Sequence, residues 1–276
     1  MQEQFPSIIQ SIMKTSQDMW QKGWAEANGG NISLRLEKEQ VPVCSPKSDW
    51  IPLGCSLPEL SKECFLVTGT GRYLRNIALF PWKNIGIIEL DETASGYRIL
   101  EGFEPTGKPT SELAAHLMTH ASIKKAYNNS KRAVIHTHAP SLIALTYALT
   151  LDSALLSKLL WQCHVECIVG FPSGIEFIPW MMAGSKDIGE ATAMALARRP
   201  LAVWQFHGVF GTGRNLDEAF GLIDMAEKAA SIFLLAKSTG CIRHAPTVEQ
   251  LRSIAENFKG VPEESFLNAD TTAFFR

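Results

Sequence analysis

Two histidines separated by one residue, His136 and His138, are the side chains best placed to bind a metal ion. They lie in the segment 132–138, whose apolar residues predict a β-strand. Alternate side chains of a strand share one face and lie roughly 6.6–7 Å apart. Both imidazoles could therefore reach one ion at about 2.0–2.1 Å. The alternative is a pair of half-buried histidines with ordinary hydrogen-bond partners, which the H-x-H pattern alone does not exclude.

A third histidine, His207, follows the predicted strand 201–206 and precedes Gly208. A ligand can project from the end of a strand, and three histidines leave one tetrahedral position open, as a catalytic zinc site requires. His207 could equally be a loop histidine before a glycine turn. The spacing along the chain does not decide whether it meets the other two.

A stripe of polar residues at helical spacing, Glu112, His116 and His120, follows the segment Pro109-Thr110-Ser111. Glu112 falls in the first turn of the predicted helix. A carboxylate there either complements the helix dipole or acts as a general base. His116 and His120 could form a metal-binding pair on the helix, but they lack the glutamate of an H-E-x-x-H motif. We therefore expect them to be ordinary histidines.

Two glycine-containing turns are suited to an anion. They are Asn28-Gly29-Gly30-Asn31, between a helix and a strand, and Thr70-Gly71-Arg72, after a strand end. Glycines allow main-chain N–H groups to converge, and Asn and Thr side chains add further donors, so a phosphate can be held without net positive charge. Each turn taken alone is also ordinary loop chemistry.

The elements that must position these residues mix helices and strands without regular alternation. Strands are predicted at 32–36, 64–68, 85–90, 97–100, 132–138, 165–169, 175–178 and 201–206. Helices are predicted from after Pro6 to about 22, from about 110, from 142, and at 187–197, 217–237 and 247–260, with capping boxes at Ser7 with Gln10 and at Thr247 with Gln250. Irregular alternation argues against a doubly wound parallel sheet. We expect an α/β fold whose largely antiparallel central sheet is covered by helices on its faces.

The composition excludes several classes of function. The 276 residues carry a formal net charge of −2, which provides no overall field to attract nucleic acid or an anionic membrane surface. No apolar run approaches the ~18 residues of a membrane span. No signal peptide is recognisable, and the six cysteines contain no C-x-x-C pair. We therefore expect a cytoplasmic protein with reduced thiols and no nucleic-acid or membrane partner.

Taken together, these segments resemble the class II aldolase/adducin family. The resemblance covers most of the chain, to about residue 260, and rests on stretches that occur in the family's order: Gly23-Trp24, Asn28-Gly29-Gly30-Asn31, Val67-Thr68-Gly69-Thr70-Gly71, Pro109-Thr110-Ser111-Glu112-Leu113, Val134-Ile135-His136-Thr137-His138-Ala139, Val165-Glu166-Cys167 and Phe206-His207-Gly208-Val209-Phe210-Gly211. The resemblance implies that residues 1–276 form a single zinc-dependent aldolase domain, with an irregular insertion at about 40–63.

The resemblance also implies a role for each matching residue. The zinc ligands would be His136, His138 and His207, with one Zn²⁺ per subunit. Glu112 would move the proton during carbon–carbon cleavage, and Glu166 would be a second acidic residue delivered from a neighbouring subunit of a homotetramer. The phosphate of the substrate would be held by Asn28, Gly29, Asn31, Thr70, Gly71 and Ser111.

The implied reaction is retro-aldol cleavage of L-rhamnulose 1-phosphate to dihydroxyacetone phosphate and L-lactaldehyde. Three other enzyme activities share the same metal constellation: fuculose-phosphate aldolase, ribulose-phosphate 4-epimerase and methylthioribulose-phosphate dehydratase. The insertion at 40–63 and the surroundings of Trp180 and Trp204 favour the rhamnulose substrate. A fourth alternative, an adducin-like interaction module without metal, is disfavoured by the three histidines and Glu112.

Overall fold

Nine strands pair into one sheet in the computed structural model, which describes residues 6–275. The strands are β1 Asn31–Arg35, β2 Ile51–Pro52, β3 Cys64–Thr68, β4 Ile85–Leu90, β5 Gly96–Gly102, β6 Ala133–Thr137, β7 Glu176–Ile178, β8 Leu201–Trp204 and β9 Gly208–Gly213. Their order across the sheet is β2-β5-β4-β3-β1-β6-β9-β8-β7. Only β7 and β8 run parallel among these described strands. The predicted, largely antiparallel sheet is confirmed.

Helices cover both faces of this sheet. They are α1 Ser7–Gln21, α2 Pro81–Asn84, α3 Leu113–Ala126, α4 Pro140–Ala148, α5 Ser153–Cys163, α6 Glu166–Gly170, α7 Lys186–Arg198, α8 Leu216–Lys237, α9 Val248–Asn257 and α10 Glu264–Leu267. Because side chains alternate along a strand, Ile135 of β6 packs with α1, α4, α5 and α8 in the largest buried cluster. Its neighbour Val134 packs on the other face, with residues of α3 and α7. His136 therefore shares the α3 face.

Several local predictions are confirmed. The strands β3 and β4 have the predicted bounds, and α1 ends one residue before the predicted end. The capping box that begins α9 is present. Its Thr247 hydroxyl accepts from the Gln250 N–H (3.3 Å), and the Gln250 side-chain oxygen accepts from the Thr247 N–H (2.9 Å).

Two local predictions are wrong. The N-cap of α1 is Pro6 without a side-chain cap hydrogen bond, and Ser7 is already helical, so the predicted Ser7–Gln10 capping box is not the cap of this helix. The segment 165–169 is not a strand but the short helix α6, whose adjacent residues Cys167 and Ile168 are both buried. An apolar run of this length does not distinguish the two periods.

The segment 40–63 is irregular along most of its length but is packed against the sheet. Ile51–Pro52 forms the edge strand β2 and pairs antiparallel with β5. Leu60 belongs to a second buried cluster, against which Leu53 and Leu57 also pack. Within residues 6–275, no helix has the length and apolar character that crossing a bilayer would require.

Candidate metal centre and active site

Residues from five separate stretches of the chain line one cavity of about 170 Å³. The lining residues are Asn28, Gly29, Gly30, Asn31, Gly69, Thr70, Gly71, Thr110, Ser111, Glu112, His136, His138 and His207. Every predicted site residue is among them except Glu166. The tertiary structure therefore brings together nearly the whole set that the sequence suggested.

Strand pairing explains how His207 reaches the other two histidines. It lies in the turn 205–207 between β8 and β9, and β9 pairs with β6 so that Phe210 lies opposite His136. The ring centroid of His136 lies 5.2 Å from that of His138 and 5.1 Å from that of His207. One nitrogen from each of the three rings lies within 4.8 Å of the others.

The hydrogen bonds of the rings determine which nitrogen is available to a metal. The Nδ1 atom of His136 donates to the Val209 carbonyl (3.2 Å), and that of His138 lies 2.6 Å from the Glu26 carboxylate. Such partners orient metal-binding imidazoles and leave Nε2 as the ligand atom. The Nε2 of His136 is buried and has no partner among the described residues. These three residues therefore fit a metal ion bound by imidazole.

The protonation state of the histidines also suits a metal. Burial, followed by the neighbouring imidazoles His138 and His207, lowers the pKa of His136 well below its usual value of 6.5. Burial is also the main cause that lowers the pKa of His207. Both rings are therefore neutral near pH 7, and the neutral ring is the form that binds a metal.

Two glycines permit the close packing of these rings. A Cβ atom at Gly208 would lie 2.4 Å from the Thr137 carbonyl oxygen and 3.2 Å from ring atoms of His136 and His138. A Cβ atom at Gly29 would lie 2.9 Å from two ring atoms of His138. A larger residue at Gly29 would therefore collide with the His138 ring, and one at Gly208 would collide with the Thr137 carbonyl and crowd both rings.

Glu112 lies between the histidines and the polar turns. It is the N-cap residue of α3, one position before the first turn in which it was predicted. Its Oε2 atom lies 4.0 Å from Nε2 of His136 and accepts a hydrogen bond from the Asn31 amide (2.9 Å). The side chain is 14% exposed, so the carboxylate is accessible from the cavity.

Some of the predicted phosphate-binding residues have polar groups without hydrogen bonds, and others have polar groups that are already bonded. The side chains of Asn28, Thr70 and Ser111 line the cavity, and none of the hydrogen bonds within residues 6–275 uses their polar atoms. By contrast, the Gly29 N–H donates to the Glu26 carbonyl (2.7 Å), so it is not available to an anion. The Asn31 side chain is bonded to Glu112 and to His116, which leaves it one amide hydrogen.

Glu166 lies outside the cavity of its own chain. It is an exposed residue at the start of α6, and the side of α6 that is buried carries Cys167 and Ile168. Within a single chain the structure does not bring this carboxylate to the three histidines.

Two residues and one cavity at the site are not evident from the sequence patterns. Glu26 contacts His138, and Ser33 contacts both His116 and His120. A second cavity of about 190 Å³ shares Ser111 and Glu112 and is lined by Leu53, Gly54 and Cys55 of the 40–63 segment and by residues near the start of α7. Polar residues at alternate positions of a short strand, as Asn31, Ser33 and Arg35 are in β1, are a signal that could have been used.

The family of the chain follows from its sequence. The profile described as "Class II Aldolase and Adducin N-terminal domain" matches residues 10–234. The protein belongs to the class II aldolase and adducin family.

Curated relatives and solved structures agree with this assignment. A rhamnulose-1-phosphate aldolase from Escherichia fergusonii is 42% identical over 267 residues, covering 94% of this chain and 96% of the relative. One from Enterobacter sp. (strain 638) is 41% identical over 264 residues, with the same coverage of 94% and 96%. The crystal structure of a sugar-phosphate aldolase from Thermotoga maritima has a TM-score of 0.74 at 32% identity and covers 85% of this chain and 96% of that one. L-fuculose-1-phosphate aldolase from Thermus thermophilus shares the fold, with a TM-score of 0.57 at 18% identity and coverage of 84% and 95%.

Proposed function

We propose that this protein is a zinc-dependent aldolase, folded as one catalytic domain, that cleaves L-rhamnulose 1-phosphate to dihydroxyacetone phosphate and L-lactaldehyde. The observation that carries the proposal is the convergence of three histidines, Glu112 and a set of free polar groups on one cavity. Relatives that carry the name rhamnulose-1-phosphate aldolase match 94% of the chain at 42% identity, and this supports the choice of substrate.

His136, His138 and His207 would hold one zinc ion per subunit. Three imidazoles leave a coordination position for substrate oxygen. When bound, zinc supplies Lewis-acid stabilisation of the negative charge that develops during cleavage. The Nε2 atom of His136, which has no hydrogen-bond partner among the described residues, and the neutral state of the His136 and His207 rings support this assignment.

Glu112 would move the proton of the reaction. Retro-aldol cleavage removes a proton from the hydroxyl group on the aldehyde side, breaks the adjacent carbon–carbon bond and returns a proton to the three-carbon phosphate fragment. The position of its carboxylate in the wall of the same cavity, 4.0 Å from the Nε2 atom of His136, supports this role.

The phosphate would be held by the two turns and the segment before α3. The unbonded side chains of Asn28, Thr70 and Ser111 support this assignment, and Gly71 lies beside them in the cavity wall. Gly29 would contribute by its close approach to His138 rather than by its N–H group, because that N–H is already bonded. Asn31 would contribute its second amide hydrogen.

Glu166 would act from a neighbouring subunit of a homotetramer. Its exposure and its distance from the cavity of its own chain are compatible with a role across an interface. Exposed aromatic residues beside His207 support an interface here. Phe206 is 40% exposed and Tyr147 is 71% exposed, and their ring centroids lie 4.6 Å apart. Exposed apolar patches are typical of surfaces that another protein covers.

The site of action would be the cytoplasm, where thiols stay reduced; the six cysteines are all unpaired. The alternatives are cleavage of fuculose phosphate, epimerisation of ribulose phosphate, dehydration of methylthioribulose phosphate and a non-catalytic, adducin-like module. All the enzymatic alternatives would use the same three histidines.

A side-by-side assay tests the proposal. The purified protein is given L-rhamnulose 1-phosphate, L-fuculose 1-phosphate, L-ribulose phosphate and unphosphorylated L-rhamnulose, and product formation is measured with and without a chelator. We expect the highest kcat/KM with L-rhamnulose 1-phosphate, far lower turnover of the free sugar, and no cleavage after chelation. An equal or greater kcat/KM with another sugar phosphate would show that L-rhamnulose 1-phosphate is not the preferred substrate. A metal-loaded protein inactive on all four, and on methylthioribulose phosphate as well, would favour the interaction module.

A further inference from the structure

A chain of buried hydrogen bonds runs from Glu112 into the core between β1 and α3. The Asn31 amide donates to Glu112 (2.9 Å), and the Asn31 side-chain oxygen is bonded to Nε2 of His116. The Ser33 hydroxyl lies 2.6 Å from Nδ1 of His116 and 2.8 Å from Nε2 of His120. Beyond Glu112, every member of this chain is no more than 9% exposed.

The spacing of strand and helix explains why these residues meet. Asn31 and Ser33 are two residues apart on β1, hence roughly 6.6–7 Å apart on one face. Glu112, His116 and His120 are spaced four residues apart, so that neighbours in this series are about 6 Å apart along the helix axis. The two spacings nearly match, so the polar side chains of the strand fit alternately between those of the helix.

The hydrogen bonds of this chain all point in one direction. The Glu112 carboxylate can only accept, so Asn31 presents its NH₂ group to Glu112 and its oxygen to His116. Nε2 of His116 must then carry the hydrogen, which makes Nδ1 an acceptor for the Ser33 hydroxyl. The Ser33 oxygen in turn accepts from Nε2 of His120. Each group thereby determines the tautomer or orientation of the next.

Burial keeps both histidines of the chain neutral, so that each has one donor and one acceptor nitrogen. It lowers the pKa of His116 to about 4. It also lowers that of His120 well below its usual value of 6.5. Neutral rings preserve the single direction of the hydrogen bonds at the pH values at which an aldolase works.

We infer that His116, Ser33 and His120 are positioning residues that hold the Asn31 amide in the orientation in which it donates to Glu112, and so hold the Glu112 carboxylate beside the three-histidine site. This inference rests on the proposed role of Glu112 in proton transfer. If Asn31 turned over, its oxygen would face the carboxylate and repel it. The influence of each residue should decrease with its distance from Glu112, in the order His116, Ser33, His120.

The kinetic test uses paired variants of the zinc-loaded protein with L-rhamnulose 1-phosphate. In His116→Leu the donor to Asn31 is lost, whereas in His116→Gln a side-chain amide can still donate. Without His116 the Asn31 amide is no longer held in place, and loss of its hydrogen bond to the charged Glu112 predicts a roughly 10–100-fold fall in kcat for His116→Leu. KM should change by no more than about twofold. Smaller falls are expected for His116→Gln and for Ser33→Ala.

Thr119→Val is the matched control, because Thr119 is a fully buried residue of the same helix whose hydroxyl has no partner among the described residues. It should keep the kcat of the unmodified protein, and all variants should keep their zinc. Equal kcat for His116→Leu and Thr119→Val would overturn the inference. A rise in KM with unchanged kcat would overturn it as well, because that would indicate a role in binding alone.

A second measurement does not depend on activity. ¹⁵N spectra of protein labelled at the histidine rings report which nitrogen of each ring carries the hydrogen. We expect His116 and His120 to be the Nε2–H tautomers in the unmodified protein, and Ser33→Ala to give His116 a mixture of tautomers. An Nδ1–H tautomer of His116 in the unmodified protein would refute the inference, even if cleavage of L-rhamnulose 1-phosphate is observed. An inactive protein with the expected tautomers would instead refute the proposed function.

Discussion

Two pairs of histidines lie on the same side of the sheet and have different surroundings. In the first pair, the β6 pair, His136 lies in β6 and His138 directly follows the strand. In the second, the α3 pair, His116 and His120 lie four residues apart in α3. Burial does not distinguish His136 from His116 and His120, because all three are at most 1% exposed, whereas the His138 side chain is 20% exposed. The difference lies in the nitrogen atoms. His136 and His138 have partners at Nδ1, whereas His116 is bonded at both ring nitrogens.

An unsatisfied nitrogen can serve as a metal ligand only where other potential ligands converge. Nδ1 of His120 is also buried without a partner among the described residues. However, His120 is not part of the one group of metal-binding side chains found within residues 6–275, which is His136, His138 and His207. Sequence spacing can place two histidines on one face, but a metal site also requires a third ligand to approach them.

The largest expected effect is on zinc content: a substitution in the β6 pair should remove the ion, whereas one in the α3 pair should not. His136→Ala should reduce the zinc content from about one ion per chain to nearly none and abolish cleavage, because two imidazoles hold zinc poorly. His120→Gln should keep its zinc. Elemental analysis of both dialysed proteins measures the difference. Comparable zinc loss in the two variants would show that the α3 pair also supports the metal, and the comparison would fail.

A large effect is also expected at Glu112, which links the two histidine pairs. Glu112→Gln should lower kcat by roughly 10²–10⁴, the usual range for the removal of a positioned acid or base, while zinc stays bound. Single-turnover cleavage and zinc content are measured on the same preparation. Retention of more than a tenth of kcat would show that another group moves the proton.

The Glu112→Gln variant also tests which subunit supplies Glu166 to each active site. Glu166→Gln should also lower activity. Exchange of subunits between the Glu112→Gln and Glu166→Gln proteins should then restore some sites in which both carboxylates are intact. Each variant exchanged against itself is the control. If confirmed mixed oligomers show no gain in cleavage rate, Glu166 acts within its own chain or has a structural role.

The smallest expected effect is on the pH dependence of stability, and it arises from His116 of the α3 pair. Desolvation is the main cause that lowers the pKa of His116 to about 4 in the folded protein, whereas the unfolded value is about 6.5. The unfolded chain therefore binds more protons in this range, and stability falls as the pH decreases from about 6.5 to 4. At pH 5 this contribution is about 2 kcal/mol.

His116→Gln has no such group and should lose less stability between pH 7 and pH 5 than the unmodified protein. Denaturant unfolding of both proteins in metal-free form measures the difference, since metal release then makes no contribution. Parallel stability curves for the two proteins would show that His116 does not carry this acid sensitivity.

Some features of the site were predictable because they depend on near neighbours in the chain. The two-residue period of β6 places His136 and His138 on one face, and the helical period of α3 aligns Glu112 with His116 and His120. The capping box at Thr247 is local in the same sense. By contrast, the short apolar run at 165–169 fits either period, and its assignment as a strand was wrong because packing against other helices decided the outcome.

By itself, the sequence determined which residue types lie on which face of each long element, since a repeating local pattern is sufficient for that. Only the tertiary structure decided which faces meet. The pairing of β9 with β6 brings His207 to His136, and the packing of α3 on β1 engages the Asn31 side chain with Glu112 and His116. Both depend on the register between segments about 70 to 85 residues apart, and a register is selected by burial and hydrogen bonding of the whole sheet rather than by any local run of residues.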